Sequence, residues 1–203
     1  MKQFFTQFKT RAGFTMIELL IVITILGILA VAVLSAINPI EQINRGRDTG
    51  SRSDAEQLVS AIDRYYAFNG YYPWQTGASD PDDDIAWQEF DTDITDSGGT
   101  CTIFEKLGTE INAGCTGAQE LKDSFLERVT DTTYNTLYVY NAGTTGSSTY
   151  VCYVPQSQAF RKEAEDRCED ATGAGMPSDA SDIADTVCGG YGDDSADIYI
   201  CLP

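Results

Sequence analysis

From Leu19 to Ile37 the chain runs for 19 residues without a charged side chain. As a helix rising ~1.5 Å per residue, that run spans roughly 28 Å, close to the ~30 Å hydrocarbon core of a bilayer. Residues 1–13 carry Lys2, Lys9 and Arg11 and no acid, and Glu18 is the one charge between them and the run. An ordinary secretory signal places its apolar run before a small-residue cleavage site. Here the small residue, Gly13, stands before the run, so cutting there removes the basic leader and leaves an apolar helix as the new N-terminus. No cysteine lies near the start, which excludes lipoprotein processing. Arg45, Arg47 and Arg52 follow the run closely, so Lys/Arg counting orients it weakly. The long acidic, cysteine-containing remainder favours an oxidising exterior for that side.

Composition excludes more than it names. The 203 residues hold no histidine, which removes His-dependent acid–base and nucleophile systems and His-ligated zinc. A net charge of -18 argues against nucleic acid as a partner, because phosphates demand the opposite sign. At 42% apolar residues the chain can bury a real core, as one domain with an appendage.

Gly13-Phe14-Thr15-Met16-Ile17-Glu18-Leu19-Leu20 closely resembles the class III signal of type IV pilins and type II secretion pseudopilins. The resemblance covers leader, cleavage site and hydrophobic helix. It implies cleavage between Gly13 and Phe14 by a prepilin peptidase, with methylation of the new amine on Phe14. It also implies a membrane anchor that later becomes the packed core of a helical filament, built by a pilus or secretion assembly machinery.

Glu18 has two compatible roles. Thr15-x-x-Glu18 fits a capping box, and an acid in the first turn favours the helix dipole. A charge at mid-membrane costs roughly 2.5–3.5 kcal/mol on insertion scales, less near the interface where it can snorkel. In a filament Glu18 is expected to neutralise the Phe14 ammonium of a neighbouring subunit, since an unpaired charge in an apolar core is unstable. Gly27 and Pro39 are the expected weak points of the long helix. Pro39 lacks the N–H that would bond the Ser35 carbonyl. The resemblance implies that this segment partly melts on assembly.

Apolar residues at 55, 58, 59, 62, 65 and 66 form the stripe of an amphipathic helix. Asn69-Gly70 stops it and Pro73 prevents its continuation. The run Ile62-x-x-Tyr65-Tyr66-x-x-Asn69-Gly70-Tyr71-Tyr72-Pro73 resembles the helix exit of many pilins and major pseudopilins. A mostly helical path from Phe14 to Ala67 would reach ~80 Å, longer than a free-standing globular fold explains. Trp74–Gly99, with its acids, glycines and serines, reads as a surface loop. Ile103–Ile111, Ala118–Val129 and Gln156–Asp170 are expected helices. Thr136–Tyr140 and Ser148–Val154 form an expected hairpin, and Asp197–Leu202 a closing strand.

The cysteines are Cys101, Cys115, Cys152, Cys168, Cys188 and Cys201, and none forms a CxxC pair. An even number outside the membrane reads as disulfides, with fifteen pairings open to six cysteines. Cys101–Cys115 is the most local pairing. Cys152 and Cys201 fall on candidate neighbouring strands, which leaves Cys168–Cys188. Free buried thiols are the other reading. The acids Asp80–Asp84, and Asp91, Asp93 and Asp96, lack EF-hand spacing. Gly190–Ile198 resembles the calcium-holding C-terminal loop of major type II pseudopilins, with Asp193 and Asp197 as the ligands that resemblance implies. Tyr199-Ile200-Cys201 departs from that pattern, and a solvated acidic turn is the plainer reading. No cofactor is therefore expected, with Ca²⁺ in the head the one candidate.

The sequence thus predicts an α+β protein of pilin fold. A long N-terminal helix, half transmembrane and half amphipathic, packs on a small antiparallel sheet. Residues 1–13 form the leader, 14–40 the membrane and filament-core helix, 41–68 the stem and 69–203 the head. The expected function is structural: a homo-oligomeric, pilus-like extracellular filament reached from a single-pass membrane precursor. A pseudopilin of a type II secretion system is the alternative. A membrane-anchored two-carboxylate enzyme is the remote one, because the acids lie in loop-like segments without a nucleophile motif.

Overall fold

A computed structural model describes residues 13–81, 83–108, 115, 118–131, 134–144, 146–170, 172–193 and 196–203. Residues 1–12 of the leader and the last three residues of the helix expected over Ile103–Ile111 lie outside the described residues. Two compact units emerge, Met1–Ile40 and Glu41–Pro203.

In the first unit, helix α1 spans Met16–Ala36. Thr15 is extended and its Oγ1 accepts from the Glu18 N–H at 3.2 Å. Glu18 Oε2 in turn accepts from the Thr15 N–H at 2.9 Å and the Thr15 hydroxyl at 2.8 Å. The capping box is therefore formed. Thr24 and Ser35 donate back to the carbonyls of Ile21 and Ala32, at 2.8 and 2.9 Å. The hydroxyls in the apolar run are thereby satisfied within their own helix. Twenty-one residues give a rod of about 31 Å, a bilayer's worth.

The mostly helical path expected from Phe14 to Ala67 is seen as α1 continuing into a second helix, α2 (Pro39–Asn69), with Ile37 between them extended at φ -104°, ψ 133°. Pro39 occupies the first turn of α2, where its missing N–H would have no partner in any case. Its ring instead pushes the preceding residue out of the helical region, and the break falls before it.

In the second unit α2 turns one face inward: Asp48, Ser51, Asp54, Ala55, Leu58, Val59, Ala61, Ile62 and Tyr65 are buried. Tyr66, expected on that stripe, is 45% exposed and its ring lies 4.5 Å from that of Tyr72. Gly70 follows the helix at φ 76°, a left-handed turn that favours glycine, with its N–H on the Tyr66 carbonyl at 2.7 Å.

The sheet has four antiparallel strands in chain order: β1 (Ile85–Glu89), β2 (Leu137–Asn141), β3 (Thr149–Tyr153) and β4 (Ile200–Leu202). The β2–β3 hairpin runs from the pair Leu137–Tyr153 to the pair Asn141–Thr149. Strand β1 corrects the reading of Trp74–Gly99 as loop throughout; Ile85 is buried and pairs with Asn141. Leu137, Val139, Val151, Tyr153, Ile198 and Ile200 share one buried core with the inward face of α2. Short helices α3 (Ile103–Leu107), α4 (Asp123–Val129), α5 (Gln158–Cys168) and α6 (Ala184–Val187) complete the unit, with a 3-10 turn at Ser178–Ile183. Helix α4 starts later than the expected Ala118, and β4 later than Asp197.

Two carboxylates of α2 hold α5 by its N-terminus. Asp48, fully buried, accepts from the N–H groups of Gln156 and Ser157, both at 2.8 Å, and from the Ser157 hydroxyl at 2.5 Å. Two turns earlier, Glu41 accepts from the N–H of Gln158 at 3.1 Å and of Ala159 at 3.4 Å. The first amides of a helix need acceptors, and a negative charge there also meets the positive end of the helix dipole.

The acidic loop around β1 is pinned from within. Lys106 Nζ lies 2.9 Å from Asp96 Oδ2 and donates to the Gln75 carbonyl at 2.6 Å, with both charged side chains buried. Burial would raise the Asp96 pKa, but Lys106 and the N–H groups of Thr100 and Cys101 outweigh it and hold the carboxyl below its ordinary value. Asp179 is also lowered, first by the Ser148 N–H, with the Tyr150 hydroxyl helping it against the upward push of burial. A carboxyl with a depressed folded-state pKa stabilises the fold above its unfolded value, and that contribution is lost as pH falls below ~4. Thermal unfolding of the chain in detergent should therefore show a falling melting temperature from pH 5 to pH 3, with a shallower fall in Asp96→Asn. A flat profile would contradict these pairings.

Candidate assembly site

The residues that the sequence singles out at the N-terminus converge on one short stretch. Gly13 and Phe14 precede the cap in extended, exposed chain, with Phe14 at 85% exposure. Glu18 sits in the first turn of α1, where Oε2 takes both bonds from Thr15. Its other oxygen, Oε1, accepts no hydrogen bond among the described residues. Every large apolar side chain of α1 faces outward, from Val22 at 47% to Met16 at 89% exposed. A helix that is apolar all round requires lipid or other helices about it, because water gives it no favourable face. Its length and composition suffice to cross a membrane. Gly27 lies inside α1 with open space where a Cβ would stand, so other helices can approach closely there.

Residues 8–34 match the family model of the prokaryotic N-terminal methylation motif. The chain fits a type IV pilin-like prepilin. This motif is of the type that prepilin peptidases process, and it suggests incorporation into a pilus-like assembly. No curated protein and no solved structure gives a match. The family signal covers residues 8–34, and the second unit of the chain is read from its own residues.

All six cysteines of the chain are brought together in pairs: Cys101 with Cys115, Cys152 with Cys201 and Cys168 with Cys188. Cys152 and Cys201 stand directly opposite each other on β3 and β4. Each such closure stabilises by ~2–4 kcal/mol.

The stem arginines are already engaged within the chain. Arg45 pairs with Glu41 at 3.0 Å and Arg52 with Glu163, while Arg47 donates to the amide oxygen of Gln156, at 3.4 Å. Arg52 and Arg167 overcome the upward push of burial and hold the Glu163 carboxyl below its ordinary value.

At the C-terminal turn that holds Asp193 and Asp197, backbone carbonyls meet a cationic side chain. Nη2 of Arg161, from α5, donates to the carbonyls of Gly190 at 3.3 Å, Ala196 at 2.6 Å and Asp193. Among the described residues no group of three acidic or cysteine side chains gathers as a metal site. Asp48, Lys106 and Arg161 escaped the sequence reading. Each is one charged residue whose partner is distant in sequence, and no local pattern marks it.

Proposed function

We propose that the chain is the precursor of a structural subunit of a type IV pilus-like extracellular filament. A prepilin peptidase cuts it after Gly13 and methylates the Phe14 amine. The mature chain then leaves the membrane, with α1 bundled in the filament core and the acidic unit outside. The observation that carries this reading is α1 itself: an apolar helix that lies almost wholly within the matched methylation motif, and whose one carboxylate keeps an oxygen open for a partner. Removing the leader takes away three of 13 basic residues, so ten stand against 31 acids and the charge falls from -18 to -21. Nearly all of that charge lies outside α1, which keeps Glu18 alone.

A pseudopilin of a type II secretion system is the second reading, supported by the Asn69–Pro73 helix exit. Two measurements test both. Mass spectrometry of the membrane-extracted chain should find an N-terminus at methylated Phe14, and Gly13→Val should retain the leader. Immunogold labelling of intact cells should decorate filaments along their length. Label confined within the envelope would favour the pseudopilin, and an unprocessed wild-type chain would remove both readings.

A further inference from the structure

We propose that Arg47, on the stem of one copy, docks over the aromatic cluster of Trp87, Tyr138 and Tyr199 on a second copy, against the Glu89 carboxylate. This contact builds on the reading of the chain as a filament subunit, and it joins neighbouring copies. The cluster follows from strand alternation. Leu137 and Val139 of β2 are buried in the core, so Tyr138 between them stands on the opposite face of the sheet. Glu89 pairs directly with Tyr138 across β1 and β2, which sets both side chains on that same face. There the Trp87 ring stacks on Tyr138, with centroids 5.1 Å apart and planes 9° from parallel. Tyr199 meets both rings edge-on, at 5.0 and 5.2 Å. The three rings are partly buried and Glu89 is exposed.

Aromatic ring faces are negative, and an exposed carboxylate beside them deepens that potential. Glu89 forms no ion pair among the described residues. Burial first, and then the charge of Glu89, push the Tyr138 hydroxyl pKa up. No described guanidinium lies over these three rings, although Arg52 covers Phe160 at 5.2 Å and Arg128 covers Phe125 at 5.5 Å. The patch is therefore complementary to a cation with an apolar body. The chain carries such a group. Of the ten basic residues after the leader, seven pair with carboxylates and Arg161 with carbonyls. Arg47 and Lys122 are exposed and meet no carboxylate among the described residues. A planar guanidinium stacks on rings better than an ammonium does, which selects Arg47. Its place on α2 differs from that of the cluster on the sheet, so the contact is heterologous. Repeated head to tail, such a contact generates an open helical series. It also joins opposite charges where copies of net charge -18 otherwise repel.

Filament yield from cells expressing the full chain tests this. Arg47→Ala should give at least ~5-fold fewer filaments, the scale of a desolvated cation–π contact at each interface. Its melting temperature in detergent should stay within about 2 °C of wild type, so that the loss belongs to assembly. Arg47→Lys should fall between, Glu89→Gln should also lose yield, and Lys122→Ala should match wild type. Arg47→Lys further provides an amine for cross-linking. A water-soluble carbodiimide should join the peptide of position 47 to that of Glu89 in filaments, and not in the chain dispersed in detergent. Wild-type yield from Arg47→Ala would overturn the contact and leave the filament reading intact. So would Arg47→Lys filaments that lack the link, or a link equally present in the dispersed chain. A wild type that forms no filaments would remove the filament reading, and this contact with it.

Discussion

Glu18→Ala is expected to insert into the membrane and to be cut after Gly13, yet to yield at least ~10-fold less filament than wild type. The physical ground is the bond left open at Oε1. Once the leader is gone, Phe14 carries a new ammonium, and bundling α1 helices places that charge in an apolar core. Leaving one member of such a pair unpartnered typically costs about 3–5 kcal/mol, which is more than a factor of ten in an equilibrium. The cap itself is a smaller matter, because its loss costs about 1 kcal/mol. Glu18→Gln separates the two effects: it retains a side-chain acceptor for Thr15 and loses the charge. Filament yield should fall in both variants while the processed N-terminus stays unchanged. Wild-type yield from Glu18→Ala would dispose of the ion pair.

Asp48→Ala should lower the stability of the second unit by about 3–5 kcal/mol, because it strands two amides and a hydroxyl away from water. That is a large share of the ~5–15 kcal/mol that holds a typical domain together. The melting temperature of the full chain in detergent should drop by roughly 10 °C. Asp48→Asn keeps one acceptor and should lose less. Neighbouring Glu41→Ala, on the exposed turn of the same face, should lose less still. A melting temperature within about a degree of wild type for Asp48→Ala would show that water replaces these bonds freely.

What the sequence made legible was whatever is encoded locally. Thr15 and Glu18 are three residues apart, and their capping box is fully formed. The period of Ala55, Leu58, Val59 and Ile62 placed the buried face of α2. The β-rich runs on either side of Gly143 and Gly146 marked the hairpin. Strand β1 was hidden because only Ile85 and Phe90 of that stretch are fully buried, within a run of aspartates that reads as turn. The joint at Ile37–Asn38 falls just before Pro39, whose ring pushes the preceding residue out of the helical region. Asp48, Lys106 and Arg161 lay beyond reach for another reason. Their meaning depends on partners from ten to about 110 positions away, and a lone charge in a sequence looks the same whether it caps a buried helix or points into water.

The two ends of α5 have a mechanical consequence. Strand β4 is three residues long and lies at the sheet edge, the kind of element that peels away one hydrogen bond at a time. It is bonded covalently to β3 through Cys201, and its carbonyl at Cys201 receives Arg167 from α5 at 3.1 Å. The other end of α5 is gripped by Asp48 on the stem, and Cys168 links the helix onward to Cys188. A pull on the stem therefore reaches the last strand by a short route through α5, bypassing the long acidic loop. Unzipping that edge would demand breaking a sulfur–sulfur bond, so tension is shared across the unit instead of tearing it open from its weakest margin.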